Sequence, residues 1–115
     1  MNGEPQARFR AELLPGTLDL LLLKAVSLEP MHGYGIAQRL RQISQEVLQV
    51  EEGTLYPALQ RLLATGWVAG EWKRTENNRR ARYYKLTAAG RKQLRAESES
   101  FERMMGAIVR VMETT

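Results

Sequence analysis

A mainly α-helical fold with one small β-hairpin is predicted by three features of the sequence. Three short segments with helical apolar spacing come first. Two aromatic-rich segments flanking a basic tip follow, and a long segment with a heptad-like seam closes the chain. Helix, helix, helix, hairpin, long helix is the part order of a winged helix-turn-helix with an added C-terminal helix. The predicted layout is an N-terminal arm over 1–12, the winged helix-turn-helix over 13–87 and the last helix over 88–115.

The arm is polar, either loose or a short helix around Phe9. Pro15-Gly16 punctuates the chain, and Thr17 is placed to cap a first helix running to about Leu28. Leu18, Leu21, Leu22, Ala25 and Val26 form its stripe, and Leu20 and Leu23 lie outside it. A helix apolar nearly all round needs two buried sides, so Leu20 and Leu23 point to a second surface such as another subunit. After a turn over 30–33, a second helix is expected from Tyr34 to about Ile43, with Ile36, Ala37, Leu40 and Ile43 on one side. Residues 44–53 connect it to the third helix and offer Val47, Leu48 and Val50 as anchors.

The stretch EGTLYPALQRLLATGW (52–67) reads as that third helix, capped by Thr54 and ended by Gly66. With Thr54 as cap, Pro57 stands in the first turn, where its missing N–H costs little. Leu55, Leu59, Leu62 and Leu63 bury one face, and Pro57, Gln60 and Arg61 point nearly opposite, flanked by Thr54 and Tyr56. Such a face, at the positive end of a helix dipole, suits a DNA major groove. It is also what an ordinary solvated helix face looks like, so the hairpin decides its weight.

That hairpin is expected from Trp67–Trp72 and Ala81–Thr87 around a polar tip at Glu76-Asn77-Asn78. Between 73 and 85 stand Lys73, Arg74, Arg79, Arg80, Arg82 and Lys85 against Glu76, a local net charge of +5. The whole chain carries +4, so the remainder carries −1. Positive charge gathered in one short stretch beside a polar helix face is what a nucleic-acid contact requires. Thr87 can cap the last helix, in which Leu94, Phe101, Met105, Ile108 and Met112 step by seven, four, three and four.

Composition narrows the function. The 115 residues suit one domain, and 43 % apolar with 26 % charged is ordinary for a soluble globular chain. The chain has no cysteine, a single histidine, no phosphate-cradling glycine loop and no ligand cluster with metal spacing. No catalytic residue, metal or cofactor is therefore expected. The longest apolar run, Leu20 to Leu23, is too short to span a bilayer, and the N-terminus has no apolar signal core. The expected location is the cytoplasm, with no membrane partner.

Four blocks carry a family resemblance: PGTLDLLLLKAV (15–26), HGYGIAQRL (32–40), EGTLYPALQRLLATGWV (52–68) and RRARYYKLTAAGRKQL (79–94). In that order they resemble the PadR family of bacterial transcriptional regulators, in its small form with a single C-terminal helix. The resemblance implies a homodimer that binds double-stranded DNA at a palindromic operator and represses, or sometimes activates, transcription. It implies a recognition helix carrying Thr54, Tyr56, Pro57 and Arg61, a wing between Trp72 and Tyr83 with basic Arg79 and Arg80, and a last helix paired with the partner's first. Some members bind aromatic or drug-like molecules near the dimer interface, so a small-molecule effector of unknown identity is a further expectation.

The expected reading is thus a DNA-binding regulator, a repressor released by a small molecule. The alternative is a winged-helix protein-interaction module without operator binding. In the first reading Lys73, Arg74, Arg79 and Arg80 contact phosphates. Gln60 and Arg61 read bases, with a phosphate contact as the other role for Arg61. Tyr56 touches a phosphate or sugar, or simply packs between helices. Leu20, Leu23, Leu94, Phe101, Met105, Ile108 and Met112 form the dimer interface. Phe101, Met104, Met105 and Met112 line either an adaptable pocket or an ordinary dimer core. His32 is either a pH-sensitive group or a turn residue bonding backbone, and Trp67 and Trp72 either line a ligand site or cover the core edge.

Overall fold

The structure is a computed structural model that describes residues 15–115. The expected arm over 1–12 lies outside the described residues. Among the described residues four helices and three strands follow in the order α1 (Pro15–Leu28), β1 (Met31–His32), α2 (Gly33–Ile43), α3 (Glu52–Ala64), β2 (Val68–Arg74), β3 (Arg80–Leu86) and α4 (Ala88–Glu113). The strands form one antiparallel sheet in the order β1-β3-β2. This is the winged helix expected from the sequence, with one strand more. A two-residue β1 was not foreseen, since two residues carry no periodicity; the expected turn at Met31-His32 instead pairs with Tyr84 and Tyr83.

Alpha-1 is the centre of the core. Leu18, Leu22, Leu23, Ala25 and Val26 are buried, and the helix packs on α2, α3, α4 and β3. Its second apolar side is therefore largely covered by its own chain. Leu23, expected at a subunit interface, is 0 % exposed and has no surface to offer a partner; Leu20 keeps part of its surface. Nor does Thr17 cap the helix, which already runs from Pro15, a residue well tolerated in a first turn.

His32 caps α2, its Nδ1 accepting from the Gly35 N–H at 3.0 Å. Of its two expected roles this is the backbone-bonding one. Ile36 and Leu40 bury the inner face of α2, whereas Ile43, expected beside them, is exposed at the helix end.

Alpha-3 starts earlier than its hydroxyl suggested. Its N-cap is Glu51, without a side-chain cap bond, so Thr54 lies inside the first turn and Pro57 is the sixth helical residue. Glu52 in the first turn favours this start, because a carboxylate there meets the positive end of the dipole. Pro57 therefore does remove a bond, the one due to the Gly53 carbonyl, at a wet and exposed position. Leu55, Ala58, Leu59 and Leu62 fill the buried face. The helix ends as expected at Gly66, with φ of 80°. The Gly66 N–H donates to the Leu63 carbonyl and the Trp67 N–H to the Leu62 carbonyl, a Schellman closure.

The same turn seats the last helix. The Thr87 hydroxyl donates to the Gly66 carbonyl at 2.6 Å and accepts from the Gly90 N–H at 3.0 Å, capping α4 as expected. The Thr87 N–H donates to the Trp67 carbonyl at 3.1 Å. The end of α3 and the start of α4 are thus one rigid joint.

Candidate nucleic-acid interface

The buried leucines of α3 leave Thr54, Tyr56, Pro57, Gln60 and Arg61 exposed, as their spacing predicted. The hairpin stands beside that face. Its register pairs Gly70 with Tyr84, Trp72 with Arg82 and Arg74 with Arg80, so Trp72, Arg74, Arg80 and Arg82 share one side of the ribbon. Tyr56 and Gln60 from α3, with Trp72, Arg80, Arg82 and Tyr84 from the hairpin, line an open groove of about 400 Å³. The groove carries two arginines and no carboxylate.

Four of the basic side chains are held in distinct ways. The Arg80 guanidinium sits 5.1 Å from the centroid of the Trp72 ring, and the Lys73 ammonium 5.4 Å from that of Tyr83. Arg74 donates to the carbonyl and side chain of Asn78, bracing the tip. Asn78, with φ of 62°, makes the reversal, and its N–H donates to the Thr75 carbonyl. Arg82 lies across Gly70, its Nε shielded from solvent. Lys73 is within 4.0 Å of Glu71, but Arg74, Arg79, Arg80 and Arg82 pair with no carboxylate among the described residues. Unpaired cations on an exposed ribbon remain available to anions.

Beneath the groove, burial pushes the Tyr84 hydroxyl above the usual phenol range, with Arg82 partly pulling it back. Tyr84 therefore stays neutral at physiological pH and serves as the groove floor.

The expected site residues do not all converge. Arg61 is missing from the groove, because its guanidinium donates to Asp19 Oδ1 on α1 at 2.9 Å. Trp67 is partly buried at the core edge, whereas Trp72 is 56 % exposed beneath Arg80. Arg82 was missed as a site residue, although strict alternation from Arg80 places it on the same face of β3. A larger groove, about 590 Å³, runs along the other flank between α2 and the start of α3. Glu46, Glu51 and Glu52 line it with Arg41, which pairs with Glu46, so its charge balance is acidic where that of the wing-side groove is basic.

At the far end of the molecule Met105, Ile108 and Met112 of the seam are exposed, together with Met104, Val109 and Val111. Leu94 packs on the chain's own core and Phe101 is half-buried. No helix among the described residues is long and apolar enough to cross a membrane, and they contain no acid, histidine or cysteine cluster able to hold a metal.

The family model for the PadR-like transcriptional regulators matches residues 22–96. A transcriptional regulator of Mycobacterium tuberculosis is 36 % identical over 74 residues, 64 % of this chain and 65 % of that protein. The chain spans 75 %, 24 % and 65 % of the lengths of three curated relatives. Among solved structures, a PadR family transcriptional regulator of Eggerthella lenta is 29 % identical with a TM-score of 0.74, covering 87 % of this chain and 85 % of that one. A protein of Streptococcus mutans is 27 % identical with a TM-score of 0.79, covering 90 % and 92 %.

Proposed function

Since the chain belongs to the PadR-like family of transcriptional regulators, we propose that it works as a dimeric, sequence-specific DNA-binding repressor. Residues 13–87 form the DNA-binding unit and 88–115 the dimerisation helix. The observation that carries this reading is the shared groove, in which Tyr56 and Gln60 of α3 face Arg80 and Arg82 of the hairpin. Alpha-3 enters the major groove as the recognition helix, and the ribbon follows the adjacent backbone as the wing. Lys73, Arg74, Arg79, Arg80 and Arg82 contact phosphates and supply most of the affinity. Thr54, Tyr56 and Pro57 line the approach to the backbone, and the Gln60 amide is suited to adenine N6 and N7.

Dimerisation uses the exposed seam of α4, Phe101, Met105, Ile108 and Met112, with Leu20 and the outer part of Leu94. A two-fold pair of recognition helices one DNA turn apart, about 34–36 Å, then matches a palindromic operator. A small molecule releases the repressor by entering the methionine-rich face of α4 and changing that spacing. The protein acts in the cytoplasm on double-stranded DNA.

Selection of bound sequences from a random duplex pool tests the reading. The expected result is an inverted repeat with half-sites about one helical turn apart. A pool that yields no enriched motif contradicts it and favours the protein-docking alternative.

A further inference from the structure

The outward arc of α3 runs from Tyr56 to Arg61, and both ends are tied to the body of the chain. At one end the Tyr56 ring packs on Gly33, where even a Cβ would stand 2.7 Å from ring carbon Cε1. At the other end the Arg61 guanidinium holds Asp19 Oδ1 of α1 at 2.9 Å. At about 100° per residue the two anchors stand about 140° apart around the helix, so together they fix its roll as well as its seat. Between them lie Gln60, about 40° from Tyr56, and Pro57, about 100° from it. Gln60 is the one of these two side chains with a donor and an acceptor, and it lines the wing-side groove.

An arginine that reads guanine must present two N–H groups to O6 and N7. Arg61 instead turns toward α1, with one terminal nitrogen on a carboxylate whose side chain is only 19 % exposed, and it does not line the wing-side groove. Swinging it outward would leave that sheltered charge without its cation. We propose that Arg61 is a positioning residue: through Asp19 it sets the roll of α3, so that Gln60, and not Arg61, reaches a base edge. This rests on the DNA-binding reading above.

The sign of one effect separates positioning from plain electrostatics. Removing the Asp19 charge makes the protein more positive, which by itself tightens binding to any duplex. Loss of positioning weakens operator binding. The test measures dissociation constants for the selected operator, its single-base-pair variants and an unrelated duplex. The proteins are the full chain with Asp19→Asn, Arg61→Ala or Arg61→Lys, at a temperature where circular dichroism shows equal folded fractions.

Asp19→Asn and Arg61→Ala should each weaken operator binding about five-fold, the scale of one partly exposed ion pair, and should blunt discrimination at the same base pair. Asp19→Asn should bind the unrelated duplex as tightly as wild type or tighter, and Arg61→Lys should stay within about two-fold of wild type because it can still reach Asp19. Discrimination lost in Arg61→Ala at a base pair that Asp19→Asn still reads would overturn the proposal, as would undiminished operator binding by Asp19→Asn. Wild-type protein that binds no duplex would overturn the DNA-binding reading as well, so the two failures are distinguishable.

Discussion

At Gly90 there is no room for a side chain: a Cβ would stand 1.9 Å from the Trp67 carbonyl oxygen. That oxygen also accepts from the Thr87 N–H, so it cannot move aside without breaking the joint between α3 and α4. Gly90→Ala should therefore destabilise the fold by about 1–3 kcal/mol, the usual scale of overpacking. A lower denaturant midpoint with an unchanged slope would check it. Tyr56 is a second residue whose role follows from close approach. Its ring rests on Gly33 and it also lines the wing-side groove, so its packing role leaves room for the DNA contact proposed for it.

Elements were more legible in the sequence than the places of their side chains. The four helices and the hairpin follow from apolar spacing and from Gly66, Thr87 and the Asn78 turn, all local signals. Errors arose where one local signal outweighed another. At the start of α3 the dipole preference of Glu52 prevails over the hydroxyl of Thr54, and at α1 the proline start precedes Thr17. Strand β1 was invisible because its pairing with β3 is long-range. The site was half legible for the same reason. Gln60 and the wing arginines follow from periodicity and charge, whereas the turn of Arg61 toward Asp19 joins residues 42 positions apart.

On the scale of the whole molecule, α4 extends about 39 Å at the usual helical rise, within a longest dimension of 54 Å. Its last turns carry Met105, Ile108 and Met112 outward over no part of the described chain, the surface proposed above for dimerisation. Met105→Glu combined with Ile108→Glu should give a monomer in sedimentation, folded as before and binding the operator far more weakly; an intact dimer would move the interface elsewhere. In the proposed reading α3 and the wing form one DNA-binding surface. Its most direct test is a titration of duplex DNA over a salt series with wild type and Arg79→Ala/Arg80→Ala. Affinity should fall linearly on logarithmic axes, and the double variant should lose about 0.9 of slope for each phosphate contact removed. No binding at low salt, or a slope that the double variant leaves unchanged, would contradict the claim.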